Sequence, residues 1–205
     1  MAGGKKETET VPLIITGEVR TIRLESESAN EIVFEATLML HFENRSSRPV
    51  LLFQDSPRPL IGDPILAGSR EDAIQRIYLY KSIAWPGHDT SAAWQRLRSN
   101  LDQPLPPDEF IRIIGPGHSW DCETKISVGI QKAGSFSKTS KPWDVIRKHD
   151  PLWLQVGALT WPDNLEPKSG STKFGNRLQR RWGKQGQLVL DYLVSEPMPL
   201  TLPNR

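Results

Sequence analysis

The sequence contains one cysteine, Cys122, among 205 residues, so no disulfide bond can form within the chain. This excludes the small domains that disulfides hold together, and it fits a cytosolic protein or a secreted protein without disulfides. No apolar run approaches the roughly 18 residues that a transmembrane helix requires. The opening stretch MAGGKKETET has no apolar segment and is not a signal peptide. We expect a cytoplasmic protein if Met1 is the natural start, and a secreted or periplasmic one if a leader was removed.

Excess charge of one sign is also lacking. The formal net charge is +2, which is too small to indicate nucleic acid or membrane binding by itself. Hydrophobic residues make up 37% and charged residues 24%, so the chain is too apolar to be disordered throughout. Its length suffices for one full-sized domain. We therefore predict a disordered polar tail over residues 1–12 and a single domain over residues 13–205.

The clearest structural signal lies in residues 31–53. Every even position from 32 to 42 is apolar, whereas the odd positions between them are mixed and include Glu35 and His41. This alternation is typical of a strand with one buried face and one solvated face. The turn-forming segment ENRSSRP follows, and a second apolar strand resumes at residues 50–53. The stretch therefore predicts a long central strand that turns into a neighbouring strand.

Comparable patterns predict the remaining elements. A break or bulge is expected near Gly17, and Pro142 suits the first turn of a short helix. One longer helix of about three turns is predicted at residues 89–101, DTSAAWQRLRSNL, from its capping residues and four-residue apolar spacing. The last strand is expected to be 187–196, with Pro197, Pro199 and Pro203 following it at the end of the chain. Further strands are predicted at 13–24, 64–67 (an edge segment), 76–83, 109–115, 122–131, 152–160 and 187–196.

Two late strands are expected to complete the core opposite residues 31–43. In the strand 152–160 the core-facing residues are predicted to be Leu152, Leu154, Val156 and Ala158. In the strand 187–196 they are predicted to be Leu188, Leu190, Tyr192 and Val194. Short strands separated by turns favour an antiparallel β-sandwich.

The turns narrow the fold class further. An N-x-S-x-x-P turn joins two apolar strands, and a PG turn precedes a long alternating strand. These features resemble immunoglobulin-like and fibronectin-III-like domains, although the paired cysteines of antibody domains are absent. The resemblance implies an all-β sandwich of about seven strands with one short helix and long loops. It implies no particular activity, because this fold serves many functions.

Three residues are the only candidates for catalysis. His118, Asp121 and Cys122 stand together in GPGHSWDCE, where a cysteine–histidine nucleophile pair or a metal site could form. No C-x-x-C or H-x-x-x-H pattern accompanies them, and a lone cysteine is commonly a small core residue. The serine elbow, the dinucleotide-binding and the phosphate-loop motifs are absent. We predict no catalytic residue, no metal site and no cofactor.

The tract at residues 173–184, KFGNRLQRRWGK, combines positive charge with aromatic rings. Arg177, Arg180, Arg181 and Trp182 lie in it, with no acidic residue. Charge for phosphates or sulfates and rings for stacking are typical of nucleic-acid or anionic-glycan surfaces. The alternative is a solvated basic loop with its tryptophan packed on a sheet edge. The small net charge argues against nucleic acid as the partner.

Tryptophan is abundant, with seven in the chain. Trp153 and Trp161 are predicted on the outward face of their strand, where flat rings could stack on sugars together with Trp182. The alternative is that these rings only pack against neighbouring elements. We therefore predict a non-catalytic binding module whose loops 54–75, 132–150 and 162–186 contact a protein or glycan partner. A carbohydrate-binding module and an enzyme with the weak His118 site are the alternatives, and the oligomeric state is left open.

Overall fold

The computed structural model describes residues 13–55, 58–59, 64–74, 111–131, 141–158, 183–188 and 193–203. These residues are mostly strands, and all strand pairs but one are antiparallel. The prediction of an all-β antiparallel protein is therefore confirmed, while the immunoglobulin-like assignment stays a prediction. The tail 1–12, the strand at 76–83 and the helix at 89–101 lie outside the described residues.

The strands in chain order define the labels used below. They are β1 (Leu13–Glu27), β2 (Glu31–Asn44), β3 (Val50–Asp55), β4 (Arg58–Pro59), β5 (Ile65–Ala67), β6 (Ile111–Ile114), β7 (Ser119–Gln131), β8 (Leu152–Gln155), β9 (Gly157–Ala158), β10 (Gln187–Leu188), β11 (Leu193–Val194) and β12 (Met198–Leu200). One helix, α1 (Pro142–Lys148), precedes β8, and residues 70–74 are also helical. Pro142 begins α1, as predicted.

The principal sheet has the strand order β1–β2–β7, with the central strand β2 antiparallel to both neighbours. The predicted alternation of β2 is confirmed: its even-numbered residues are buried along its whole length, and its odd-numbered residues are half-buried on the other side. On β7 the predicted inward residues Val128 and Ile130 are buried, and Ile126 packs against the same core. This sheet therefore has a core-facing side and a side that we call the outer face.

Gly17 does not interrupt β1, contrary to the expected break. The register shifts lie further along, between Val19 and Thr21 and between Leu24 and Ser26. A Cβ atom on Gly17 would lie 2.8 Å from the Met39 carbonyl oxygen and 3.0 Å from the Met198 sulfur. The glycine is therefore required mainly by the close approach of the β2 backbone, with the Met198 side chain of β12 next to it.

The remaining strands form smaller sheets. β3 pairs with β6, β4 and β10, and the β3–β10 pair is parallel. β8 lies between β5 and β12, so β5 is an edge strand as predicted, and β9 pairs with β11. The predicted strand 152–160 is divided at Val156 between two sheets, although Leu152, Leu154 and Val156 are buried as expected.

Two predictions for the chain end are wrong. Leu193 is buried and Val194 only half-buried, so the inward positions of β11 are shifted by one residue from the expected set. Met198–Leu200 forms β12 although Pro199 lies in its middle. β12 pairs with β8 on one side, and no described strand pairs with its other side; an edge strand tolerates a proline.

The core is one cluster of buried side chains from β1, β2, β7, β3, β6, α1, β8, β11 and β12. Helix α1 joins it through Trp143, whose ring meets the Phe34 ring edge-on at a centroid distance of 6.2 Å. The Trp143 indole N–H donates to Glu27 Oε1 at 2.9 Å. The arrangement is sandwich-like, with α1 over one end of the principal sheet. In the described part of the chain, no helix is long and apolar enough to cross a membrane.

Asn44 ties two turns together at the end of β2. Its side chain is fully buried, and its amide nitrogen donates to the carbonyl oxygens of Arg48, Ile114 and Gly115 at 2.8, 2.8 and 3.1 Å. Its Oδ1 accepts from the Ser46 backbone N–H at 2.9 Å and from the Ser46 hydroxyl at 2.7 Å. The predicted N-x-S-x-x-P turn is thus an Asx turn that also holds the β6–β7 connection.

Candidate functional site

The three candidate reactive residues do not converge. Cys122 lies opposite Leu40 and is buried on the core-facing side of β7. Asp121 projects from the outer face, because successive strand residues point to opposite sides of a sheet. His118 lies in the exposed β6–β7 turn, where its Nδ1–H donates to the Pro116 carbonyl at 2.9 Å. The core position of Cys122 gives no support to a nucleophilic site.

The structure instead pairs Asp121 with His41, which the sequence analysis treated as a solvated strand residue. His41 Nδ1–H donates to Asp121 Oδ1 across β2 and β7 at 2.6 Å, and Thr16 of β1 lies opposite His41 on its other side. In a neutral imidazole this bond places the proton on Nδ1 and leaves Nε2 as an acceptor. The two side chains are 42% and 67% exposed, so the pair stands in solvent rather than in a water-excluding pocket.

Ion pairs run along the rest of the outer face. Glu35 Oε1 lies 3.0 Å from Arg23 Nε and 3.5 Å from Lys125 Nζ, which places a β2 carboxylate between cations of β1 and β7. Arg45 Nη2 lies 2.7 Å from Glu43 Oε2. The hydrogen bond from Arg23 lowers the pKa of Glu35, and the hydrogen bond from Arg45 lowers the pKa of Glu43. The outer face is therefore a charged surface on which ion pairs hold the pKa values of Glu35 and Glu43 below their ordinary value.

We expect Arg23→Gln to raise the pKa of Glu35 toward its ordinary value, because the largest cause of its lowering is removed. A lowered pKa in the folded state gives stability that is present above the unfolded-state pKa and is lost as the pH falls through the folded-state pKa. Arg23→Gln should therefore flatten the acid side of the stability profile. Carboxyl-carbon NMR titration measures the pKa. Arg20→Gln is the control, because Arg20 pairs with Glu18, and an equal shift of Glu35 in both variants would contradict the assignment.

A second surface lies on the side of β1 that faces away from β2. We call the backbone of residues 18–26, on the side away from β2, the β1 edge. One backbone hydrogen bond is present on this side of β1 in the described residues. The Ile15 carbonyl accepts it from the Glu196 N–H at 2.9 Å. Beyond it, Leu24 is 44% exposed and Ile22 is half-buried, both on the core-facing side of the sheet. Within the described ranges, the β1 edge therefore presents backbone groups without a strand partner beside the exposed side chain of Leu24 and the half-buried one of Ile22.

Of the six predicted ligand-binding residues, only Trp153 lies in the described part of the chain. Trp153 is half-buried in β8, the middle strand of the β5–β8–β12 sheet. Its cross-strand neighbours are Ala67 of β5 and Pro199 of β12. Trp161, Trp182, Arg177, Arg180 and Arg181 lie outside the described residues, so the aromatic and basic surfaces stay predictions.

Neither the His41–Asp121 pair nor the β1 edge followed from sequence reasoning. His41 and Asp121 are 80 positions apart, and only the register of β2 against β7 makes them neighbours. The β1 edge could have been suspected from the long alternating pattern of residues 13–24, but not its position at a sheet margin. Across the described ranges, no group of three His, Cys, Asp or Glu residues could hold a metal ion. Comparisons with protein-family models, with curated proteins and with solved structures found no match for this chain.

Proposed function

We propose that the protein is a non-catalytic binding module that recognises a partner protein through the β1 edge. The single observation that supports this proposal is that β1 ends its sheet among the described strands beside Leu24, a large apolar side chain that is 44% exposed. Its occupant is an extended peptide segment of the partner, which adds a strand to the principal sheet. Strand addition supplies main-chain hydrogen bonds for affinity and alternate side-chain contacts for specificity.

The length and chemistry of the β1 edge define this occupant. Natural proteins protect exposed sheet edges with short strands, prolines or inward charges, because a free edge pairs readily with other chains. The β1 edge carries charged side chains and two register shifts, which limit pairing, but it belongs to a 15-residue strand without proline, and its core-facing residues Ile22 and Leu24 are apolar. A bound strand with apolar residues at alternate positions would extend the core over them. Arg20 and Arg23 already contact carboxylates of this chain, so apolar contact rather than charge selects the partner.

We expect Leu24→Lys to weaken partner binding at least tenfold while leaving the fold intact. The lysine places a charge where the added strand would pack, yet the half-exposed leucine contributes little to the core. The matched control is Ile113→Lys, since Ile113 is 45% exposed and lies on β6 in another sheet. Affinity capture with the three proteins, followed by mass spectrometry and titration calorimetry with the purified partner, measures the effect.

The proposal is supported if one partner binds the wild type and Ile113→Lys with equal affinity and Leu24→Lys at least tenfold more weakly. It is overturned if Leu24→Lys binds as the wild type does, or if no protein binds the wild type. Self-association is read separately by analytical ultracentrifugation. A wild-type dimer that Leu24→Lys dissolves would identify the added strand as a second copy of β1 and would overturn the assignment to a different protein.

A further inference from the structure

An arginine for which the described residues supply no carboxylate partner lies where the principal sheet meets the β3–β6 sheet. Arg112 of β6 stands opposite Leu52 of β3, as Ile114 stands opposite Val50. Leu52, Val50 and Ile114 are all buried in the core, and residues two apart on a strand share a face. Arg112 therefore starts from the core-facing side of its sheet, which is an unusual position for a charged residue.

Two stacked aromatic rings support its guanidinium. The Arg112 Cζ atom lies 4.8 Å from the centroid of the Trp120 ring. Trp120 in turn stacks on Phe42 with a centroid distance of 5.2 Å and an interplanar angle of 28°. Phe42 is fully buried, whereas Trp120 is only partly buried against the core. The aromatic faces attract the cation and hold it at the margin of the sandwich.

Among the described residues, Arg112 lacks the carboxylate partner that five other arginines have. Its Nε atom is buried, and no described residue offers it a hydrogen-bond acceptor. Within the described ranges no carboxylate forms an ion pair with Arg112, and a buried donor without an acceptor is costly. By contrast, carboxylates lie within 4.0 Å of Arg20, Arg23, Arg45, Arg70 and Arg147.

We propose that Arg112 binds a carboxylate group of a ligand, with Trp120 as the floor of the site. The terminal Nη1 and Nη2 groups of a guanidinium form a planar fork that matches the two oxygens of a carboxylate. Arg112 as a whole is half-buried, so this end of its side chain is available to a ligand although Nε is covered. One cation balances one carboxylate, whereas a phosphate dianion would call for a second positive group. The carboxylate belongs either to a free organic acid or to an acidic side chain of a peptide. The site is separate from the β1 edge, and its test does not depend on that proposal.

The experiment follows the Nε–Hε signal of Arg112 in ¹⁵N-labelled full-length protein by NMR, with Arg112→Lys used to assign it. The probes are sodium glucuronate, a blocked peptide of glutamates, inorganic phosphate, and acetamide as a neutral carboxylate mimic, all at constant ionic strength. We expect a saturable shift with glucuronate or with the peptide, and none with acetamide. Saturation by glucuronate identifies a free acid as sufficient, and saturation by the peptide alone identifies an acidic segment.

Variants establish that the fork itself binds the ligand. Binding is then followed through the Trp120 indole N–H signal, which remains when Arg112 is changed. We expect Arg112→Gln to abolish the saturable shift and Arg112→Lys to weaken binding at least tenfold, because lysine keeps the charge but loses the fork. Arg45→Gln is the matched control, since Arg45 is exposed and paired with Glu43. Circular dichroism checks the fold of each variant, and Arg112→Lys serves as the test if Arg112→Gln does not fold.

Three results would overturn the proposal. The first is a shift that rises linearly with every carboxylate and never saturates. The second is phosphate binding more tightly than either carboxylate probe. The third is an Arg112→Lys protein that binds as tightly as the wild type.

Discussion

Asn44→Ala is expected to lower the free energy of unfolding by about 3–5 kcal/mol, because it removes several buried hydrogen bonds at once. The alanine would leave the carbonyl oxygens of Ile114 and Gly115 and the N–H of Ser46 without their present partner. The backbone bonds of residue 44, to His118 and Gly117, would remain. Urea unfolding followed by circular dichroism measures the loss.

Two further variants test whether the loss of stability comes from the amide donors of Asn44. Asn44→Asp keeps the acceptor of the Asx turn but loses the amide donors, so we expect most of the destabilisation to persist near neutral pH. Asn30→Ala is the control, because Asn30 lies in the exposed β1–β2 turn and should change stability by less than about 0.5 kcal/mol. A loss below about 1 kcal/mol for Asn44→Ala would show that water replaces its hydrogen bonds.

Phe34→Ala is expected to cost about 3–5 kcal/mol, the range for removing a fully buried phenylalanine. Phe34 is 0% exposed in the central strand, and its ring is the edge-on partner of Trp143. The truncation leaves a cavity beneath α1, so the helix should loosen as well. Chemical denaturation measures the stability, and hydrogen exchange of the α1 amides measures the loosening. Equal exchange of α1 in the variant and the wild type would show that Phe34 does not hold the helix.

The control for Phe34 is its neighbour Val33, which lies on the outer face and is only half-buried. Val33→Ala should cost clearly less than Phe34→Ala, because only part of its side chain leaves water on folding. A double-mutant cycle of Phe34→Leu with Trp143→Leu isolates the ring contact, for which a coupling of about 0.5–1.5 kcal/mol is expected. A coupling near zero would mean that the two rings stabilise the fold independently.

Period-two alternation predicted the centre of the fold accurately, because the burial of β2 depends on a local pattern. The 14 residues of β2 alternate between buried and half-buried without exception. Pro142 likewise predicted α1, since proline is suited to the first turn of a helix. Such local rules predict a strand or helix correctly where its own sequence, and not its pairing with distant segments, decides its structure.

The predictions failed where pairing between distant segments decides the outcome. Pro199 was expected to end regular structure, yet β12 tolerates it because β12 is at the margin of its sheet. The face of β11 was misjudged by one residue, and a shift of one residue exchanges the two faces of a strand. The His41–Asp121 pair and the Arg112–Trp120 stack have no sequence signature, because the register of β2 against β7 and the meeting of two sheets create them.

The burial of Asn44 has a consequence for how the protein can be produced. Asn44, Arg45 and Ser46 form the N-x-S acceptor sequence for N-linked glycosylation. An oligosaccharide on this amide would displace hydrogen bonds to three carbonyl oxygens, and it has no room at a fully buried site. In a eukaryotic secretory host, glycan transfer to the nascent chain would therefore compete with formation of the β2–β3 turn, and modified chains would not complete this fold.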